Sequence, residues 1–477
     1  MKAAQPAQQF RPARAYQLMP VRFDLFDDQR IILTSMDGAY EILAESVARR
    51  FLAHQLEAEE PAYALLQAKG FLADDLTPHN PALLATRLRS RWQYLDRGPG
   101  LFIFVVTLRC EHTCSYCQVS RKNSAESTAF DMSREDARAA LAQIKDSPAE
   151  HIKIEFQGGE PLLNFPLIKM IVEEATAGID KKISFVIATS LSCLDDDMLD
   201  FCQRHSIYIS TSLDGPAGIH DSNRKLPGRS SYDLTIAQIT RVRQRLGPDS
   251  VSALMTFNPR HAASWRDIVD CYRNNGFHQI FYRWTSPYGF ARENLTATDA
   301  WLALYEQVLD YIIDINKGGG HFVEIYSQIV LSKILANRPN LYADLSNPTS
   351  LGLGVLVFNY DGGIYPSDES RMLKETGDDS FRLGHVQDLS FADIYKSEVL
   401  QGIAISSQLE ASPSCSSCPF LPWCGSDPVY HHTVQGDLRG DMRSSAFCRR
   451  NMAVYKTLLR RLEDPEIRNI FLRWVQL

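Results

Sequence analysis

Cys110-Glu-His-Thr-Cys114-Ser-Tyr-Cys117 sets three thiols at x3 and x2 spacing, directly after an apolar run from Leu101 to Leu108 that reads as a buried strand. An odd set cannot pair fully as disulfides. Thiols this close can converge on one soft metal centre, and thiolates favour zinc, copper(I) or iron–sulfur. A four-iron cluster held by three cysteines keeps one iron open, much as a catalytic zinc keeps one position free. An open iron is a place for chemistry. The plainer alternative is a structural zinc site completed by His112. A second group, Cys415-x2-Cys418-x5-Cys424 and then Cys448 after 23 residues, can close a four-thiolate site around zinc or an iron–sulfur cluster, and spacing alone does not choose. The remaining cysteines, Cys193, Cys202 and Cys271, read as small core residues.

The elements that must position the first group form a regular series. Apolar strands are expected at 102–108, 152–157, 184–190, 207–213, 251–257 and 279–284. Between them, helical periodicity runs over 133–146, 165–178, 195–204, 232–245 and 261–275, with a sixth helix around Asp299 to Ile315. This alternation predicts an α/β domain with a parallel sheet and right-handed crossovers. Six βα units are two short of a closed eight-stranded barrel, so an open, partial (β/α)6 barrel fits over 101–317. Ligands in such folds sit at the C-terminal ends of strands. There the candidates collect: the three cysteines after strand 1, Gln157-Gly158-Gly159-Glu160-Pro161 after strand 2, Thr189-Ser190 at strand 3 and Ser212-Leu213-Asp214-Gly215 at strand 4. Gly158 and Gly159 let backbone approach a ligand without an intervening Cβ, and Glu160 adds a carboxylate suited to an ammonium.

At 477 residues the chain should hold two or three domains. Its 45% hydrophobic and 22% charged content is that of an ordinary soluble protein. A formal charge of −7 offers no net basic field to draw phosphates, and Arg87-Leu-Arg-Ser-Arg91 reads as a solvated helix face. No signal-peptide core and no run of roughly 18 apolar residues is present. Clustered thiols in such a chain point to a reducing compartment, and the expectation is cytoplasmic, without nucleic acid or membrane partners. Residues 1–18 read as a flexible arm. Over 19–75, two short strands (Val21 to Phe26, Arg30 to Thr34) and helices at Ala44 to Leu56 and Pro61 to Lys69 suggest a winged-helix-like module. The alternative is a packing appendage. Residues 76–100 read as linker plus helix, 318–345 as a helical bridge, 346–450 as a loop-rich domain carrying the second cysteine group, and 451–477 as a C-terminal helix.

With these motifs in this order, the chain resembles the radical S-adenosylmethionine (SAM) superfamily, whose C-x3-C-x-aromatic-C hallmark is matched with Tyr116 as the aromatic. The resemblance implies that Cys110, Cys114 and Cys117 hold a 4Fe–4S cluster whose open iron chelates the amino and carboxylate groups of SAM. One-electron cleavage would then release a 5′-deoxyadenosyl radical that abstracts hydrogen from substrate. By the same resemblance, Gly158, Gly159 and Glu160 meet the SAM ammonium, and Ser212 meets the ribose. Gln157, Ser190 (where relatives often carry Asn), Asp214 and Met255 complete the expected SAM contacts.

The C-terminal region looks like the SPASM extension of radical SAM peptide-modifying enzymes, which usually carries two auxiliary 4Fe–4S clusters. Its C-x2-C-x5-C-x3-C core is matched in part, with Pro428 in the place of the fourth cysteine. The cysteine expected after Gly-x-x-Tyr-Pro is Ser367, and no cysteine lies between 272 and 414. The resemblance therefore implies one auxiliary cluster, on Cys415, Cys418, Cys424 and Cys448, and two clusters in all. Sulfatase-maturing relatives place a catalytic base beside that cysteine, and Asp368 occupies the matching position. The alternative for Asp368 is a turn aspartate following Pro366.

Over nearly its whole length the chain most resembles the His-Xaa-Ser system radical SAM maturases, through Cys-Glu-His-Thr-Cys-Ser-Tyr-Cys-Gln, Ile-Glu-Phe-Gln-Gly-Gly-Glu-Pro-Leu-Leu-Asn, Ser-Thr-Ser-Leu-Asp-Gly-Pro, Val-Ser-Ala-Leu-Met-Thr-Phe and Ser-Pro-Tyr-Gly-Phe-Ala. This implies oxidative cross-linking or another C–H functionalisation of a ribosomally made precursor peptide with His-Xaa-Ser repeats. The winged-helix-like module would bind its leader. The implied partners are that peptide, an electron donor such as flavodoxin or ferredoxin, and a second maturase. Two alternatives stand beside it: a sulfatase-type maturase oxidising Cys or Ser, and a zinc-stabilised binding protein without turnover.

Overall fold

The computed structural model describes residues 16–126, 128–294, 297–338 and 342–477, so the expected N-terminal arm lies, up to residue 15, outside the described residues. The chain separates into two compact units. One comprises Met1–Tyr94, Val330–Pro339 and Leu409–Cys424; the other comprises Leu95–Ile329, Asn340–Gln408 and Gly425–Leu477.

The first unit opens with an antiparallel meander of β1 (Val21–Leu25), β2 (Arg30–Ser35) and β3 (Tyr40–Ala44). The acidic turn between β1 and β2 is locked by Asp27, which accepts the Gln29 N–H and pairs with Arg30. Central β2 buries Ile31, Ile32 and Leu33. Helices α1 (Glu45–Leu52) and α2 (Pro61–Ala68) set Phe51 and Leu66 against Ile31 and Leu33, around Tyr16. The sequence reading of two strands and two helices missed β3, because Glu-Ile-Leu-Ala runs without a turn into the helix formers that follow. The unit also reaches beyond the expected 19–75 span. Helix α3 (Asn80–Trp92) belongs to it, and so does the segment Leu409–Cys424. There Trp423, fully buried, meets Tyr40 edge-on at 5.5 Å between ring centroids. It also covers Gly38, where a Cβ would stand 3.2 Å from Trp423 Nε1. Part of the expected 346–450 domain thus folds with the N-terminal module.

The second unit is built on an eight-stranded sheet. Strands β4 (Leu101–Thr107), β5 (His151–Gly158), β6 (Lys182–Ala188), β7 (Tyr208–Ser212) and β8 (Val251–Leu254) run parallel, in the order β8-β7-β6-β5-β4. Phe102, Ile103, Phe104, Val105 and Val106 are all buried. Such runs mark a parallel strand covered on both faces. The crossover helices begin where the sequence caps them: Ser133 accepts the Asp136 N–H, Asp195 the Met198 N–H and Ser230 the Asp233 N–H.

Two features differ from expectation. The strand expected at 279–284 is regular only at Gln279–Ile280, where it pairs with Val323–Glu324 rather than with β8. The large sheet instead extends past β4, through parallel β9 (Val355–Phe358) and then antiparallel β10 (Gly363–Tyr365) and β11 (Gly384–His385). Residues 451–477 are not one helix. Helices at Ala446–Arg461 and Pro465–Trp474 are separated at Asp464-Pro465, where proline cannot continue the first helix and Asp464 caps the second.

The chain after Gln279–Ile280 leaves the sheet to lie along the cysteine loop. Phe290 N–H donates to the Cys117 carbonyl at 2.9 Å, and Gln118 Nε2 to the Ser286 carbonyl at 3.2 Å. Gly289, at φ +53°, makes this approach; a Cβ there would fall 2.5 Å from the Gln118 oxygen and 2.6 Å from that of Cys117. Gly289→Ala is expected to push the cysteine loop aside. It should lower iron incorporation during anaerobic reconstitution while far-UV circular dichroism stays close to the parent's, and full iron loading would contradict this account of the glycine.

Candidate functional site

The rim is held together by backbone. After a register shift between Val105 and Thr107, Gly159 N–H donates to the Thr107 carbonyl and Glu160 N–H to that of Arg109, both at 2.8 Å. Gly158 has φ +154°, and a Cβ on it would stand 2.0 Å from the Thr107 oxygen; one on Gly159 would stand 2.4 Å from those of Leu108 and Arg109. No L side chain fits at either position. The same seam carries Arg109 on to a two-toothed ion pair with Asp131, at 2.7 and 2.8 Å.

The result is a cavity of about 240 Å³, lined by Cys110, Cys114 and Cys117 on one side and by Gln157, Gly158 and Gly159 on another, with Ser190 and Ser212 among the hydroxyls at its rim. Burial pushes the Cys114 thiol up to about 11, and burial with the nearby Glu111 and Glu160 carboxylates pushes Cys110 far up. Such thiols become ligands only where a metal supplies positive charge. Among the described residues, one set of His, Cys or carboxylate donors lies within 4.8 Å of one another: Cys110, Glu111 and His112. Zinc bound at about 2.3 Å would bring its thiolates within roughly 4 Å of each other, and Cys114 and Cys117 stand outside such a set. His112, expected as the fourth ligand of the zinc alternative, has both ring nitrogens engaged, Nδ1 with Glu111 at 2.9 Å and Nε2 with Ser231 at 2.9 Å. Three spread thiols facing a glycine cradle fit a three-cysteine cluster and a small chelating ligand better than one zinc.

Two of the expected ligand-binding carboxylates are occupied beneath the cavity. Glu160, with no exposed surface, accepts from Thr189 Oγ1 at 2.6 Å, from the Ser190 N–H and Oγ at 2.8 and 2.6 Å, and from the Leu162 N–H at 3.0 Å. Burial and then the neighbouring Glu111 raise its pKa. Asp214, 1% exposed, takes a short hydrogen bond from the Tyr116 hydroxyl and pairs with Arg224 at 3.2 Å. Asp214 thereby fixes the motif's aromatic residue and a cation, Arg224, that stacks on Tyr116 and lines the cavity. Although burial opposes it, Asp214 keeps that guanidinium charged.

Gln118 and Thr256 line this cavity and also a second one of about 150 Å³ that ends on Asp368 and Glu369. Met255 faces this second chamber, beside Thr256. Asp368 Oδ1 accepts from Arg371 Nε at 2.7 Å, and Arg371 is fully buried, its two terminal nitrogens without a hydrogen-bond partner among the described residues. Arg283, also in the wall, lies between Asp344 at 3.7 Å and Glu369 at 3.9 Å. Ser367, 2% exposed, is spent as the N-cap of the helix Asp368–Lys374, and Pro428 is the first residue of the helix Pro428–Gln435. Both positions where the resemblance implies a cysteine are helix starts.

Of the second cysteine group, Cys415, Cys418 and Cys424 lie in the first unit. Cys424 and Cys415 lie within electrostatic reach of Cys418: burial, then Cys424, and further on Cys415, push the Cys418 thiol up to about 12. Cys448 lies in the second unit, in the first turn of the helix Ala446–Arg461, whose cap Ser445 accepts its N–H at 3.2 Å.

The sequence reading did not single out Arg224, Gln118, Thr256, Arg283 or Arg371. Gln118 and Arg283 had a faint signal: the first closes the cysteine phrase, and the second stands three residues before Ser-Pro-Tyr-Gly-Phe-Ala. Arg224 follows Ser-Leu-Asp-Gly by a helix whose periodicity says nothing about a cation turned inward.

Residues 104–271 match the Radical SAM superfamily. The cysteine-type anaerobic sulfatase-maturating enzyme of Clostridium novyi is 24% identical over 343 residues, 69% of this chain and 87% of that protein. Among solved structures, native anSMEcpe with bound AdoMet has TM-score 0.62 at 16% identity, over 78% of this chain and 98% of that one. Streptococcus suis SuiB bound to precursor peptide SuiA has TM-score 0.53 at 14% identity, over 90% of this chain and 99% of that one. The structural likenesses are likenesses of fold. No helix among the described residues is long and apolar enough to cross a membrane.

The support under the rim is acid-sensitive. His220 accepts the Asp214 N–H on Nδ1 at 3.2 Å and meets Ser231 through Nε2 at 3.1 Å, and burial lowers its pKa to about 4. The unfolded chain, at about 6.5, binds the proton first, so stability is full above that value and falls as the pH drops toward 4, by roughly 3 kcal/mol at most. Thermal unfolding followed from pH 7 to pH 4 should show this loss, and His220→Asn should flatten it. An unchanged acid limb in the variant would remove His220 from the account.

Proposed function

We propose that this chain, an enzyme of SAM radical chemistry by its residues 104–271, oxidatively modifies a ribosomally made precursor peptide, most simply by cross-linking within His-Xaa-Ser repeats. The observation that carries the reading is the wall shared at Gln118 and Thr256, which line both the cysteine-lined cavity and the chamber that holds Asp368. A substrate side chain in that chamber lies between the hydrogen-abstracting group and a carboxylate.

The residues present fit the cofactors. Cys110, Cys114 and Cys117 would hold a 4Fe–4S cluster, and the Gly158–Gly159 cradle with Gln157, Ser190, Ser212 and Arg224 would hold SAM. Glu160 and Asp214 act from beneath, through Ser190 and Tyr116. When bound, the cluster and SAM supply one-electron cleavage and hydrogen-atom abstraction. Asp368, oriented by Arg371, takes the proton that leaves as the substrate carbon is oxidised. Cys415, Cys418, Cys424 and Cys448 would hold an auxiliary cluster, which would supply an acceptor for the remaining electron. Flavodoxin or ferredoxin is the class of donor that supplies the first electron. The three-stranded N-terminal module supplies a leader-binding surface: β1 is an edge strand, and Phe23 and Leu25 are about half exposed on it. SuiB's complex with SuiA supports a peptide substrate.

The likeness to the Clostridium novyi sulfatase-maturating enzyme favours a second reading, oxidation of a Cys or Ser on a sulfatase. Ser367 and Pro428, where the ligands of a further cluster would stand, count against it.

Anaerobically reconstituted enzyme with SAM, a strong reductant and a His-Xaa-Ser peptide should yield 5′-deoxyadenosine and peptide lighter by two hydrogens per event, read by mass spectrometry. Formylglycine on a sulfatase-derived peptide, with the His-Xaa-Ser peptide unchanged, would transfer the assignment to the second reading. Zinc in place of iron and inorganic sulfide would refute both. Asp368→Asn should still cleave SAM but lose product formation by about 100-fold or more. Equal loss of both would show that Asp368 acts before the substrate is oxidised.

A further inference from the structure

The first unit contains both the three-stranded sheet and the cysteine loop, and two cations are hydrogen-bonded to that loop. Arg22, on edge strand β1, donates its Nε to the Ser416 carbonyl, between Cys415 and Cys418, at 2.8 Å. It lies within electrostatic reach of the Cys418 sulfur. Lys333, 7% exposed, donates its Nζ to the Cys424 carbonyl at 3.1 Å. Acids reach the same groups. Asp24 acts on Cys418 and Glu410 on Arg22; Asp24 is exposed and Glu410 half-buried, so water screens them more than it screens Lys333.

We propose that Arg22 and Lys333 raise the reduction potential of the auxiliary centre, and that the N-terminal module is thereby a working part of that centre as well as a recognition domain. The proposal rests on the reading that Cys415, Cys418, Cys424 and Cys448 hold an iron–sulfur cluster. A cluster with four thiolate ligands is a net anion and becomes more so on reduction. Net charge and hydrogen bonding around its sulfurs are among the protein's levers on potential. A fixed cation nearby stabilises the reduced form, and a buried cation does so more than an exposed one, because its field crosses less water. Lys333 is therefore the stronger of the two. A raised potential suits an acceptor, since it takes up the electron released when a substrate carbon radical is oxidised. Arg22 also links this potential to the sheet, because any ligand that moves β1 moves a charge on the cysteine loop.

Full-length protein carrying Cys110→Ala, Cys114→Ala and Cys117→Ala leaves only the auxiliary centre to be read, by redox titration monitored with electron paramagnetic resonance. In that background Lys333→Met should lower the midpoint by the equivalent of about a tenfold change in the reduction equilibrium, 59 mV for one electron. Lys333→Arg should restore it, and Arg22→Gln should lower it by less. A residue that merely holds the loop in place would change cluster content and leave the midpoint alone. An unmoved midpoint in both Lys333→Met and Arg22→Gln overturns the proposal while the cluster stands. If Lys333→Met fails to hold a cluster, Arg22→Gln decides, and an unmoved midpoint there overturns it. No iron–sulfur signal at all in the cysteine-substituted background would instead overturn the auxiliary-cluster reading, and this proposal with it.

Discussion

The structure of the rim depends on one close approach: the backbone of Gly158, Gly159 and Glu160 bonded to the carbonyls of Thr107 and Arg109, at a separation where a Cβ would sit 2.0 to 2.4 Å from oxygen. It joins the end of the second strand to the start of the cysteine loop, so the two motifs move as one piece. The loop is then held from its other side by Phe290 and by Gln118 against Ser286. Hydrogen bonds from the Thr113 and Ser115 N–H groups to the carbonyls of Lys225 and Asn223 close the circuit. Three thiols that repel one another when ionised need such a frame. Burial disfavours the thiolate at Cys110 and Cys114, and a rigid loop keeps the three sulfurs in place until a metal arrives.

The same economy governs the carboxylates. A buried acid without partners costs several kcal/mol, and here Glu160 and Asp214 are satisfied locally, the first by hydroxyls and backbone N–H groups of the next strand, the second by Tyr116 and Arg224. What faces the cavity beside the three thiols and the His112 ring is therefore backbone, hydroxyl, amide and the guanidinium groups of Arg121 and Arg224. The acids act at one remove, by setting where those groups point. This arrangement keeps negative charge off a pocket that already holds three sulfurs.

Much of this was legible in the sequence, and what was not has physical causes. Five strands and their helices were readable because the first strand is a continuous apolar run, the second alternates apolar with polar residues, and three of the crossover helices open with a side-chain cap, at Ser133, Asp195 and Ser230. The motifs at the strand ends were readable because thiol spacing and paired glycines are rare. The strand Val355–Phe358 escaped, since four apolar residues between glycines and a turn have no period to detect. The sixth strand was overread: Phe281 to Trp284 has strand composition, but hydrogen bonding with the cysteine loop, which no local pattern encodes, takes the chain elsewhere. Arg224 and Arg371 belong to the same class. Their inward orientation is decided by Asp214 and Asp368, partners that a sequence scan does not connect with them.

The positions Ser367 and Pro428 are both helix starts, and each is satisfied by capping. At Ser367 the hydroxyl accepts the Ser370 N–H, and the Ser370 hydroxyl faces the Ser367 N–H at 3.1 Å in return. At Pro428 the missing N–H is one that no helix start requires, and Asp427 caps the helix by accepting the Tyr430 N–H at 2.9 Å. Each cap contributes about 1 kcal/mol and satisfies backbone N–H groups of the helix start. Helix capping thus fixes the local geometry around Asp368, and the chamber beside it has a charged wall of Arg283 and Glu369.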